Sequence, residues 1–166
     1  MEKWDLLDAE GNPTGRTIVR GEPLLPGMYH LVEHIWIVDS KGRLLIQQRN
    51  PDLKLMPGVW AANSGSAQAG EESEDAARRE LKEELGITDT KIIHVGTLPP
   101  TEHTGWEHVA IYAALYDGKV HFPAAEISGV MPFPSTLIDT WLERRPQDFA
   151  SSFALCWAQV RTMLGE

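Results

Sequence analysis

Short blocks of apolar and β-branched residues dominate the chain, and three stretches instead carry apolar residues at helical spacing. Residues 3–8 (KWDLLD) and 17–20 (TIVR) flank a set of turn formers, Glu10-Gly11-Asn12-Pro13-Thr14-Gly15, which predicts a hairpin. Residues 30–38 are rich in β-branched and aromatic side chains, Asp39-Ser40-Lys41-Gly42 supplies a turn, and 43–49 continues the pattern; this predicts a central antiparallel pair. Residues 73–85 hold no Gly or Pro, open on Ser73 as a cap with Glu74 and Asp75 in the first turn, and run into Gly86, so a helix is predicted there. Its Ala77, Leu81 and Leu85 recur at i, i+4 and i+8 and form the stripe that can bury against a sheet. Further strands are predicted at 91–97 and 108–115. Two closing helices follow at 135–145, ending before Pro146, and at 147–164, where Phe149, Phe153, Trp157 and Val160 share a face. Pro123-Ala124-Ala125 and Met131-Pro132-Phe133-Pro134 interrupt the patterning and mark loops. The order is that of a mixed α/β protein, rich in strands and with three helices.

Composition narrows this without changing it. At 166 residues, with no internal repeat and no low-complexity linker, a single domain over 1–166 is expected. Lys and Arg number 15 against 24 Asp and Glu, giving a net charge of −9; no basic patch is present to track phosphates, so a stable nucleic-acid partner is not expected. The single cysteine, Cys156, excludes an internal disulfide and a multi-cysteine zinc site, and its apolar surroundings mark it as a core residue. No basic segment followed by an apolar run opens the chain, and no window holds eighteen uninterrupted apolar residues, so neither a leader nor a membrane span is expected and a cytoplasmic setting is favoured.

One feature of the helix at 73–85 exceeds what packing requires. Glu80, Glu83 and Glu84 lie at i, i+3 and i+4, which places three carboxylates on one face. Like charges this close repel, and something positive should compensate them. A hard divalent cation such as Mg²⁺, shared with substrate phosphates, would do so; an acidic face paired with Arg78, Arg79 and Lys82 is the alternative.

The spacing around the helix carries a resemblance. Gly65, five residues, Glu71, seven residues, Arg79-Glu80-Leu81, one residue, Glu83-Glu84, one residue, Gly86-Ile87 resembles the Nudix box at all nine of its specified positions. The resemblance implies an α/β/α sandwich around a mixed sheet and a hydrolase that uses Mg²⁺, or Mn²⁺, to cleave a diphosphate linkage by water attack on phosphorus. The substrate it implies is a nucleoside diphosphate derivative or another small organic diphosphate. Residue by residue, it implies that Glu83 and Glu84 bind metal, that Glu80 binds metal or acts as base, and that the Ser64 carbonyl completes the sphere. Arg79 would orient the neighbouring carboxylates and Glu71 would stabilise the loop. Gly65 and Gly70 would let backbone approach a metal-bound phosphate closely.

Outside the box the chain resembles the isopentenyl-diphosphate isomerase branch of the same superfamily, through Asn12-Pro13-Thr14-Gly15, Tyr29-His30-Leu31, Leu44-Leu45-Ile46, Pro57-Gly58-Val59-Trp60 and Asn63. Those isomerases protonate an alkene with a cysteine and hold metal with a histidine, where this chain has Ser64 and Ser66. A serine hydroxyl is a far poorer acid than a thiol. The isomerases also lack carboxylates at the positions of Glu80 and Glu83, so hydrolysis is expected over isomerisation, with a non-catalytic diphosphate sensor as a third reading. Glu107 matches an isomerase catalytic glutamate and the region where many Nudix hydrolases place a late carboxylate, and Arg49 and Lys54 fall where the isomerases hold the diphosphate. His30 matches an isomerase ligand, but with Ser66 and Gly105 at partner positions a strand histidine is expected instead. Trp60 and Trp106 are open between stacking a substrate and packing. A small-molecule diphosphate is the expected partner, and a homodimer is left open.

Overall fold

The β-branched and aromatic stretch at 30–38 forms β3 (Leu31–Val38), and the rest of the architecture is arranged on its two edges and two faces. The computed structural model describes all 166 residues. Along one edge β3 pairs in parallel with β8 (His108–Leu115), from Leu31 opposite His108 to Val38 opposite Leu115. On the other edge it meets β4 (Arg43–Arg49) antiparallel only at Ile37 and Val38, next to the turn. The two strands of the predicted central pair then diverge. The gap is filled by a segment unmarked by the sequence pattern: β5 (Trp60–Ala61) pairs with β4, and β6 (Asn63–Ser66) pairs antiparallel with β3 from Val32 to Ile35. β7 (Ile92–Leu98) closes one edge of the sheet against β8, and β9 (Ile127–Pro134) closes the other against β4.

β3 is buried on both sides, which is why its apolar residues run together at 35–38 rather than alternate with polar ones. Ile35 and Ile37 pack with Ala77, Leu81 and Leu85 of α1 (Ser73–Leu85). Trp36 and Val38 face the other way, into a core with Ile138 of α2 (Ser135–Arg144) and Phe153, Trp157 and Val160 of α3 (Phe153–Leu164). Helices on both faces of a mixed sheet make the expected α/β/α sandwich. Cys156 is wholly buried in the second core, its thiol pushed up to about 12 by burial. Trp60 takes the packing role, edge-on to Phe133 and Trp141 at 5.4 and 5.6 Å.

Three expectations need correction. Met131-Pro132-Phe133-Pro134 is the end of β9, not a loop; β9 is an edge strand, where alternate residues need no ladder N–H, and the two prolines occupy one alternate set. The last helix starts at Phe153 rather than 147, because Phe149 and Ala150 pair with β5: Ala150 N–H donates to the Trp60 carbonyl at 2.9 Å. Ser73 does not cap α1; Glu72 is the capping residue, and the Ser73 hydroxyl turns inward to donate to Glu33 at 3.1 Å. The other end is as expected: Gly86 takes φ 69°, and the N–H groups of Gly86 and Ile87 close onto the carbonyls of Lys82 and Leu81.

The predicted hairpin is β1 (Lys3–Leu7) and β2 (Pro13–Val19), a two-stranded sheet separate from the main one. It is fastened by reciprocal bonds between Leu7 and Tyr29 and by Ala69 N–H donating to the Lys3 carbonyl at 2.8 Å. Removing the Phe153 ring, which touches Trp36 and Phe149 at the base of α3, is expected to lower stability by about 3–5 kcal/mol. Denaturant unfolding of Phe153→Ala checks this, and a loss under 1 kcal/mol would show that the α3 face is not the core described.

Candidate active site

The divergence of β3 from β4 leaves β6 bare on the α1 side, and α1 lies across it. Here the sheet and helix enclose one wall of a cleft of about 500 Å³. Ser64, Gly65 and Ser66 of β6 form its floor, and Arg79, Glu80, Glu83 and Glu84 of α1 face them. All the residues of the predicted metal set therefore share one cleft.

Arg79 holds this arrangement. Its Nε and Nη2 donate to the two oxygens of Glu71 at 2.8 and 2.9 Å, and Nη2 also donates to the Ser66 carbonyl at 3.1 Å. Nη1 donates to Glu80 at 2.5 Å and to Glu83 at 3.3 Å. Bonds from Arg79 hold the Glu71 carboxyl below its usual range, and Glu71 and Glu80 in turn hold the guanidinium above its own. Glu71 also accepts from Gln68 N–H at 2.9 Å, so one arginine ties the 66–71 loop, β6 and α1 together.

Glu80 is nearly buried, and burial raises its carboxyl despite Arg79. Its place depends on Gly65: a Cβ built there would overlap the Glu80 carboxylate. The space this glycine leaves is thus filled by an acid of the protein itself. Glu84 sits deeper toward β4, where Asn63 Nδ2 and Gln47 Nε2 both donate to its Oε2. Burial, then the charge of Glu80, pushes its carboxyl up to about 7. Glu83 stays more exposed, 58% at the side chain.

The predicted substrate cations divide. Arg49 lines the cleft beside Glu84, though its Nε and Nη2 also pin the 50–58 loop through the carbonyls of Leu55 and Met56. Lys54 stands exposed on that loop, outside the cleft lining. Glu107 also lies outside it, at the start of β8, 3.4 Å from His30. Burial pushes Glu107 up to about 7 and His30 down to about 4, so at neutral pH this is a polar contact with a neutral ring, itself stacked on Trp4 at 4.1 Å. Trp106 is exposed and away from the cleft.

Other cleft residues went unmarked in the sequence. Glu2 and Arg20 come from the β1–β2 hairpin, and Glu126 from the turn before β9. Beneath the cleft lies Glu33, fully buried and directly cross-strand from Gly65. It accepts from the Ser73 hydroxyl, which accepts from Tyr112 at 2.9 Å. Burial pushes it up to about 8. A lone acid inside an apolar strand, and paired glutamines closing β4, were the signals available for Glu33 and Gln47.

A family model described as the NUDIX domain matches residues 28–149. The chain belongs to the Nudix family. An uncharacterized Nudix hydrolase of Listeria monocytogenes is 51% identical over 88 residues, 52% of each chain, so this chain spans about half the length of that curated relative in the match. An isopentenyl-diphosphate Delta-isomerase of Paenarthrobacter aurescens is 29% identical over 162 residues, 93% of this chain and 88% of that one. Among solved structures, a Deinococcus radiodurans protein superposes with a TM-score of 0.78 at 25% identity, covering 96% of this chain and 98% of that one. The NUDIX domain of Shewanella oneidensis NrtR, crystallised with ADP ribose, shares the fold, with a TM-score of 0.66 at 21% identity over 82% of this chain and 88% of that one. No helix of this Nudix protein is long and apolar enough to cross a membrane.

Glu33 gives the site a pH signature. An acid whose folded pKa is raised binds its proton more tightly when folded, so its contribution to stability is complete below the unfolded value and is lost as pH rises toward about 8. Glu33→Gln cannot ionise, so its melting temperature is expected to gain on the wild type progressively between pH 5 and 8. Parallel melting curves across that range would show the Glu33 carboxyl to be unperturbed.

Proposed function

We propose that this chain is a divalent-cation-dependent diphosphohydrolase that splits a nucleoside diphosphate derivative or related small organic diphosphate by water attack on phosphorus. The observation that carries the reading is that Glu80, Glu83 and Glu84 all line one open cleft whose floor is the backbone of β6, although their side chains as placed do not close on a common point. The donor set fits a hard cation: the carboxylates of Glu83 and Glu84 with the Ser64 carbonyl, all oxygen, Glu84 being raised by burial and bonded only by neutral amides. Mg²⁺, or Mn²⁺, held there supplies Lewis acidity toward phosphoryl oxygens and a lower pKa for water.

The chain's own residues do the rest. Glu80, its carboxylate lodged over Gly65, takes the proton of the attacking water, a role its position favours over Glu107 outside the cleft. Arg79 keeps Glu80 in that rotamer. The Gln47 and Asn63 amides aim Glu84, as donors behind a ligand do. Arg49 offers its remaining Nη1 to the diphosphate. Ser64 and Ser66 in the floor leave no thiol acid for alkene protonation; the likeness to the isomerases therefore extends to the fold and not to that chemistry.

Incubation with Mg²⁺ and a panel including ADP-ribose, nucleoside triphosphates and prenyl diphosphates, read by ³¹P NMR in ¹⁸O-labelled water, tests this. Label is expected in a phosphate product. Because removing even outer partners of a metal ligand costs about 10–100-fold, Glu84→Gln is expected to lower turnover at least about 100-fold. Gly65→Ala, which displaces Glu80, is expected to act in the same direction. Unchanged turnover in Glu84→Gln, or isomerisation of isopentenyl diphosphate without hydrolysis, read as deuterium uptake in a parallel run in D2O, would overturn the reading.

A further inference from the structure

Three guanidinium groups line the cleft, and they differ in how much of their hydrogen-bonding capacity the protein uses. Arg79 is spent on Glu71, Glu80, Glu83 and the Ser66 carbonyl. Arg49 gives Nε and Nη2 to loop carbonyls. Arg20 makes one side-chain bond, Nη1 to Glu2 at 3.0 Å, and is 66% exposed, so its Nε and Nη2 edge is unengaged. An exposed ion pair of this kind is weak and exchanges readily for a better acceptor.

The hairpin fixes where that edge stands. Arg20 N–H donates to the Glu2 carbonyl, and β1 docks on the loop leading into α1 through Ala69 and through Gly70 N–H, which donates to Asp5 at 2.7 Å. Glu2 and Arg20 therefore flank the Arg79 and Glu80 end of the acidic face. At the other end, β4 brings Gln47 to Glu84 and then Arg49 into the cleft, and Asn50 ties that strand end to the Ala124 and Glu126 carbonyls. The cleft thus runs from one arginine to another, with the three carboxylates between.

A diphosphate held over the carboxylates and by Arg49 would use one of these ends. We propose that Arg20 is a specificity-determining residue that takes a phosphate beyond that pair, so that the preferred substrates are organic polyphosphates with three or more linked phosphates rather than diphosphodiesters such as ADP-ribose. The planar fork suits a terminal phosphate, whose several charged oxygens accept bidentate, charge-assisted bonds that neutral sugar hydroxyls do not match. Glu2 holds the Arg20 side chain within the cleft lining through this one exposed bond. This rests on the diphosphohydrolase reading of the cleft, and the test separates the two.

At fixed free Mg²⁺, inorganic tripolyphosphate and pyrophosphate are titrated calorimetrically into the wild type, Arg20→Ala and Arg20→Lys; kcat and KM are measured with a nucleoside triphosphate and with ADP-ribose. Arg20→Ala is expected to lose about 10-fold or more in tripolyphosphate affinity and less than about 2-fold for pyrophosphate, with Arg20→Lys between. Its kcat/KM is expected to fall about 10-fold on the triphosphate, through KM, and to change little on ADP-ribose. Equal losses for both ligands, or none, would overturn the proposal. A selective loss of tripolyphosphate binding in a protein that hydrolyses nothing would sustain the Arg20 subsite and overturn the hydrolase reading instead.

Discussion

The Arg79 guanidinium is the constraint on which the site depends. It bonds Glu71, Glu80, Glu83 and the Ser66 carbonyl together, which belong to a loop, a helix and a strand that pack by different forces. Three carboxylates on adjacent turns would splay apart in water or protonate when buried. One planar cation with five donors fixes two of them at set distances and spends its remaining donors on the loop that leads into the helix. A lysine would supply the charge without the fork. The positive group that the acidic face calls for is therefore already present in part, and what it leaves undercompensated is Glu84, on the far side of Glu80 from Arg79 and held only by amides.

The sheet makes room for this arrangement by a failure of pairing. Were β3 and β4 a full hairpin, no strand edge would be open to receive β6, and α1 would pack on a closed surface. Because they part after Ile37 and Val38, the 60–66 segment enters the sheet and carries Gly65 directly beneath Glu80. Val59, whose carbonyl accepts from Arg49 N–H, and Trp60, locked among Phe133, Trp141 and Phe149, hold that segment from the opposite core. The acidic face is thus positioned by aromatic packing on the other side of the sheet.

What could be read in advance follows from the range of each interaction. Helix α1, its Gly86 cap, its buried stripe and its row of acids depend on residues within a few positions of one another, and their pattern was legible. The hairpins at 3–20 and 30–49 were legible too, because turn chemistry is local. The parting of β3 and β4 was not, since Glu33 and His34 of β3 and Gln47 and Gln48 of β4 mark polar positions but say nothing of which strand each pairs with. Met131 to Pro134 read as a loop because proline is normally excluded from strands, a rule that an edge strand escapes. Ser73 read as a cap by type, but Glu33 and Tyr112, distant in sequence, claimed its hydroxyl. Glu2, Arg20 and Glu126 carry no local pattern at all; they reach the cleft only because a hairpin and a turn dock there.

The charges of the cleft bear on the order in which it fills. Its lining holds Glu2, Glu80, Glu83, Glu84 and Glu126 against Arg20, Arg49 and Arg79, within a chain of net charge −9. Arg79 is neutralised by its own partners, and Arg20 by Glu2. A polyphosphate approaching this surface alone meets more carboxylate than cation and gains little. A divalent cation alone gains the carboxylates but leaves both arginine ends idle. Each charge improves the site for the other, which is a coupling free energy and must be reciprocal. Under the function proposed here, cation and polyphosphate would enter as one partly neutralised unit, and the acidic character that argues against binding phosphate would become the means by which the cleft favours its cation-bound form.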